Sequence, residues 1–211
     1  INSLVDILRK FKNDVFLKNT FIVLMGSLLS QLMPILLLPF LTHYVSKETI
    51  SLYFVWLGAT NIFIVIVSGR LDMAIYGANY KKDVFSLIQL LILFATTVSI
   101  FLLLTFGFII PFFNLETSSL IISKYYISLS LVSFFMVLIQ GVMSYYNYHG
   151  KYFILSWIRI GQSTIVNLSI LIVVLFFGTF NSMLYAHIIS LFLYLIILLN
   201  YLLFLPEFQY F

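Results

Sequence analysis

Apolar residues fall into six long runs that divide almost the whole chain: Phe21–Leu41, Ile50–Val67, Val84–Ile110, Tyr125–Tyr146, Tyr152–Phe177 and Met183–Leu205. The shortest has 18 residues and the longest 27. A helix rises about 1.5 Å per residue, and the hydrocarbon core of a bilayer is about 30 Å thick. Each run is long enough to cross it as a helix, the second only just. The predicted fold is all-α, a polytopic bundle of six transmembrane helices over residues 20–211. Ahead of it, Leu4, Ile7, Leu8, Phe11 and Val15 recur at helical spacing with charges between them. Residues 1–19 are therefore expected to hold a short amphipathic helix on the cytoplasmic membrane surface.

Composition sharpens this picture. The chain is 63% hydrophobic and 9% charged, against about 45–50% and about 25% in soluble domains. A soluble domain of 211 residues could not hide so much apolar surface. The net charge is +4, but the lysines and arginines lie between the runs rather than on one face. That argues against a nucleic-acid partner. With the amino-terminal segment assigned to the cytoplasm, Arg9, Lys10, Lys12, Lys18, Arg70, Lys81, Lys82, Lys151 and Arg159 all fall on the inner side. Only Lys47 and Lys124 fall outside. This asymmetry satisfies the positive-inside rule and places both ends in the cytoplasm.

Other composition limits are chemical. The absence of cysteine excludes disulfides and thiolate metal sites. His43, His149 and His187 are not spaced as a ligand pair, and no phosphate loop or nucleophile motif occurs, so neither a metal nor another cofactor is expected. The first run is not a cleaved signal, because about twenty charged and mixed residues precede it. The chain opens on Ile1 and stops at Phe211, just after the sixth run, and is expected to be a piece of a longer protein.

Several runs carry polar residues on one face. In and beside the first, Ser27, Gln31, Pro34 and Thr42 cluster around the direction of Thr20 on a helical wheel. Pro34 and Pro39 each remove an intrahelical hydrogen bond and favour a bend. A bent helix with a polar stripe suits a cavity wall, and equally a contact in which Ser and Gln bond a neighbouring helix. In the fourth run Tyr126, Ser133, Gln140 and Ser144 share a face. In the fifth, Arg159, Gln162 and Ser163 do so, with Asn167 at the margin.

Arg159 is the sharpest single position. It lies seven residues into its run, about 10 Å from its start. One reading is an anion site facing a wet cavity; the other is an arginine snorkelling to lipid phosphates. Arg70 and Asp72 follow the second run at a spacing where they do not face each other. Arg70 is either a binding residue or a positive-inside anchor. Asn61, Gln89 and His187 are isolated and read as structural. No acidic residue sits mid-run, which argues against a buried carboxylate relay.

The stretch Ser27–Glu48, SLLSQLMPILLLPFLTHYVSKE, continues to Leu52 and Tyr53 and then to Gly69–Tyr76, GRLDMAIY. It resembles the start of bacterial polysaccharide flippases of the Wzx type, in the multidrug/oligosaccharidyl-lipid/polysaccharide exporter superfamily. The residues that carry the likeness are Leu38, Pro39, Phe40, Leu41 and Thr42, then Glu48, Ser51, Leu52 and Tyr53, then Arg70, Asp72, Ala74 and Ile75. His43 stands where arginine is usual, Lys47 where proline is common, and Ser51 where glycine is common.

The resemblance implies one six-helix lobe, the amino-terminal one, of a two-lobed transporter in the bacterial cytoplasmic (inner) membrane. It implies a non-enzymatic flippase moving undecaprenyl-diphosphate-linked oligosaccharide for O-antigen, capsule or other surface polysaccharide. Its partners would be that lipid-linked substrate, membrane lipid, and the polysaccharide polymerase and chain-length proteins. The cavity residues proposed for the substrate are Arg159, Gln162, Gln31, Ser27 and Arg70. The competing readings are a small-molecule exporter of the same superfamily, a membrane-embedded polysaccharide polymerase, and a non-catalytic membrane subunit.

Overall fold

The computed structural model describes residues 15–112 and 121–203. The amphipathic helix expected near residues 4–15 falls almost wholly outside them, as does most of the 111–124 connection. The described chain forms seven helices and one 3-10 turn, and no strand. They are α1 Val15–Tyr44, α2 Lys47–Ser68, α3 Leu71–Ala74, the 3-10 turn Ile75–Gly77, α4 Lys81–Phe112, α5 Ile121–Tyr148, α6 Tyr152–Phe176 and α7 Phe180–Leu203. All but α3 are long and apolar enough to cross a membrane. The fold is an all-α bundle, and the chain is a multi-pass membrane protein.

Local chemistry sets the helix ends. Ser46 has extended backbone angles, and its hydroxyl accepts the Thr49 amide at 3.3 Å. That cap starts α2 at Lys47, ahead of the first apolar residue. At the far end Gly69 takes φ 52°, and its amide bonds the carbonyls of Val65 and Ile66. Arg70 is also left-handed at φ 57°, so two consecutive residues turn the chain into α3. The 68–83 segment, which separates the second and third apolar runs, is thus partly helical. Ile75 explains why: it is fully buried against Val67, Val84, Leu91 and Val137.

In the packing, α5 is central. It contacts α2, α4, α6 and α7, and Leu129, Val132, Val137 and Ile139 are fully buried along it. Tyr125 breaks helical geometry near its start (φ −124°, ψ 22°) and sets its ring edge-on to Phe180 at 4.8 Å. Helix α1 behaves differently. It leans almost entirely on α6 and buries only Gly26 and Leu41.

Three polar contacts hold α1 to α6. Ser156 Oγ donates to the Ile22 carbonyl at 2.9 Å, Arg159 Nη1 donates to Ser27 Oγ at 2.7 Å, and Ser163 Oγ donates to the Ser30 carbonyl. The partners ascend together in number, so the two helices run parallel. Gly26 permits the approach, since a Cβ there would stand 2.5 Å from Ser156 Cβ. The third contact answers a need created by the sequence. Ser30 lies four residues before Pro34, which has no N–H to offer its carbonyl. In hydrocarbon such an acceptor has no water to turn to. The Ser163 hydroxyl takes the place of the missing donor.

Candidate functional site

Where α1, α2, α5, α6 and α7 converge, a cavity of about 270 Å³ opens. Helix α6 supplies most of its polar wall: Arg159, Gln162, Ser163 and Asn167 follow one another down the helix at intervals of three, one and four residues. Ser30 adds to it from α1, Thr60 and Asn61 from α2, and His187 from α7. Leu57, Ile64, Val132 and Val166 fill the spaces between. From the α6 start, Arg159 lies about 10 Å deep and Asn167 about 22 Å deep. The cavity therefore occupies the middle of the membrane-crossing part of the bundle.

Arg159, Gln162 and Asn167 are each held by a neighbour. Arg159 is half-buried, and Nη1 is fixed by Ser27. A guanidinium carries five N–H donors, so this contact orients the group without exhausting it. It has no carboxylate partner among the described residues. Gln162 Nε2 donates to Met136 Sδ at 2.7 Å, a weak acceptor. Asn167 Nδ2 donates to the Ser163 carbonyl at 2.8 Å, one turn back along α6. Gly161 lets the Tyr194 ring lie against α6, where its hydroxyl donates to the Ile158 carbonyl at 2.7 Å.

The α2 and α7 sides are braced by an aromatic cluster. Tyr53 Oη and His187 Nδ1 are 2.8 Å apart and buried. With its proton on Nε2, the imidazole accepts from the tyrosine. Trp56 lies edge-on to His187 at 5.3 Å, stacks with Tyr53 at 5.8 Å, and donates from Nε1 to Ser128 Oγ at 3.1 Å. The cluster joins α2, α5 and α7 at one level, directly behind the cavity wall.

The structure divides the five residues singled out from the sequence. Arg159 and Gln162 line the central cavity. Ser27 touches that site through Arg159, but with Gln31 it lines a separate groove of about 590 Å³. Thr20 and Asn19 from α1, Asn147 and Tyr152 complete that groove's polar lining. Arg70 belongs to neither; it is exposed in the turn between α2 and α3. Asn61 and His187, read as isolated structural residues, both reach the central cavity. Of the polar face expected on α5, Ser133 donates to the Thr60 carbonyl at 3.4 Å and Ser144 to Tyr76 Oη at 3.2 Å. Those two positions serve packing. Among the described residues no three His, Asp or Glu side chains gather as a metal site would need.

Taken as chemistry, the cavity offers one fixed cation, three carboxamides, several hydroxyls and an imidazole. It suits an anion flanked by hydroxyl or amide groups, held without a carboxylate to repel it. The chain matches no protein-family model, no curated protein and no solved structure.

Proposed function

We propose that this chain is the amino-terminal six-helix lobe of a flippase that carries undecaprenyl-diphosphate-linked oligosaccharide across the bacterial cytoplasmic membrane. The observation that carries the reading is Arg159: a guanidinium at membrane depth, oriented by Ser27 and bordered by Gln162, Asn61 and Asn167. The motif likeness in residues 27–80 supports it independently. Both ends face the cytoplasm, as the loop charges ask.

The physical task is to move a diphosphate and its sugars through hydrocarbon. Stripping water from each polar group costs several kcal/mol, about 2–7 for a neutral amide or hydroxyl. A cavity that offers fixed donors at mid-depth removes much of that barrier. The planar guanidinium fork of Arg159 fits phosphate oxygens. Gln162, Asn61, Asn167 and Ser163 meet hydroxyl groups of the sugars. The second groove, with Gln31 and Ser27, extends the polar surface along α1. A second lobe closes the open side, and the two rock between inward- and outward-open states while the prenyl tail stays in lipid. Polysaccharide polymerase and chain-length proteins receive the product.

The test is made in the host, with the full-length gene deleted and then restored as parent or Arg159→Ala. Surface polymer is stained, and lipid-linked repeat units are assayed on each leaflet. Loss of polymer with units trapped on the cytoplasmic face, in the deletion and in Arg159→Ala alike, is expected. Normal polymer after deletion overturns the reading. Units that reach the outer leaflet unpolymerised point to a polymerase, and sensitivity to cationic drugs without a polymer defect points to a small-molecule exporter. Full flipping by Arg159→Ala ends the anion-site assignment.

A further inference from the structure

A third hollow lies away from the polar cavity, between α4, α5 and α7, with a volume of about 620 Å³. Phe85, Ile88 and Ile92 line it from α4, Leu138 and Val142 from α5, and Leu199 from α7. Its walls are almost wholly apolar until Tyr145 and His149, which stand at one end. Lys82 sits at that same end, in the first turn of α4 and one helical turn from Phe85. Lys151 follows just beyond, in the turn between α5 and α6.

The dimensions point to an occupant. From Leu138 to His149 the lining covers about 16 Å of helix. One leaflet of hydrocarbon is half of about 30 Å. The groove thus runs through a single leaflet and ends where that leaflet's headgroups begin. A helix of a second copy would cross both leaflets and is about 10–12 Å wide with its side chains, so a one-leaflet slot matches it poorly. Water finds too few polar partners along such walls. The volume falls within the range of about 300–1,000 Å³ typical of small-molecule sites.

We propose that this groove binds one acyl chain of an anionic phospholipid, with the headgroup phosphate at Lys82. The chain lies along Ile88, Leu138, Val142 and Leu199, and the aromatic and imidazole rings of Tyr145 and His149 mark the interface. The site depends on the membrane-spanning fold and not on the transport reading. A chain that flips nothing would still hold this lipid, and a working flippase could lack it.

The experiment uses the full chain in nanodiscs of phosphatidylethanolamine with a minority of phosphatidylglycerol. The phosphatidylglycerol carries a photoactivatable group midway along one acyl chain. After irradiation, labelled peptides are mapped by mass spectrometry. Labelling concentrated several-fold on segments 85–92, 138–149 and 195–202, relative to the exposed Ile35 and Leu36 of α1, is expected. Val142→Trp and, independently, the surface variant Leu199→Trp should reduce labelling in these segments several-fold while leaving α1 labelling unchanged. Lys82→Ala should narrow the preference for phosphatidylglycerol over an equally tagged phosphatidylethanolamine. Even labelling over all apolar faces, or labelling indifferent to both tryptophans, overturns the proposal. So does a cysteine at position 199 that crosslinks efficiently to a second copy.

Discussion

Removing the Ser163 hydroxyl should cost stability only because of a proline on another helix. Ser163 Oγ donates to the Ser30 carbonyl, and Pro34 withholds the helical donor that this carbonyl would otherwise have. In Ser163→Ala the carbonyl is orphaned at membrane depth. Hydrogen bonds between membrane helices average about 0.6 kcal/mol and reach about 1.7. Leaving a buried acceptor unpaired costs about 1–3 kcal/mol. The contact is part-buried, so the expected loss is about 1–2 kcal/mol. In a Pro34→Ala background a backbone N–H returns at position 34 and the helix satisfies its own carbonyl. There Ser163→Ala should cost less than about 0.5 kcal/mol. The four proteins are unfolded in bicelles with a denaturing detergent, followed by circular dichroism, and compared as a double-mutant cycle. An equal cost of Ser163→Ala in both backgrounds refutes the coupling.

Gly26→Val should separate α1 from α6, because the added Cβ meets Ser156 at 2.5 Å. Overpacking costs about 1–3 kcal/mol, which exceeds the gain of up to about 1 kcal/mol from replacing a helical glycine. The chain has no cysteine, so a disulfide engineered between α1 and α6 reports the separation cleanly, and unchanged crosslinking with an unchanged Tm sinks the prediction. Tyr53→Phe should cost about 1 kcal/mol by leaving the buried His187 Nδ1 without its partner. Tyr53→Phe with His187→Leu should cost less than the sum of the single changes, and strict additivity in thermal unfolding would show that the pair is not coupled.

The six spans were legible because a bilayer imposes one rule on every crossing segment: apolar side chains over a fixed length. Their ends moved for reasons that hydropathy does not carry. Ser46 starts α2 by capping, and α1 is already helical at Val15, ahead of its apolar run. The buried Ile75 draws a nominal loop into the bundle. Within the site, Arg159 and Gln162 stood out because polar residues inside an apolar run must face something polar. Asn61 and His187 did not stand out, since their significance lies in Tyr53 and α6, which are distant in sequence. Ser27 and Gln31 shared a stripe, yet the α1–α6 contact falls between the central cavity and the groove they line. Pro34 reads from sequence as a missing hydrogen bond and a bend; its further consequence is that the freed Ser30 carbonyl calls for a donor from a neighbour, and Ser163 lies on the polar face of α6.

The same α6 residues that border the cavity also hold α1. Arg159 and Ser163 both line the central space, and each also makes a polar contact from α6 to α1. Apart from α6, α1 has only a slight contact with α2. On the transport reading, an anion that turns the Arg159 fork toward itself and draws Nη1 away would compete with Ser27. Its arrival would then weaken one polar tie between α1 and α6 and leave the Ser156 and Ser163 bonds, both of them to backbone carbonyls. These have no charged partner, and each is worth about 0.6 kcal/mol on average in membranes. Occupancy of the site and the placement of its outermost wall are then linked through one guanidinium. On that reading Ser27 would hold Arg159 when the cavity is empty and yield it when phosphate enters. Ser27→Ala should therefore tighten anion binding slightly while loosening α1, a pair of opposed effects that a purely structural serine would not produce.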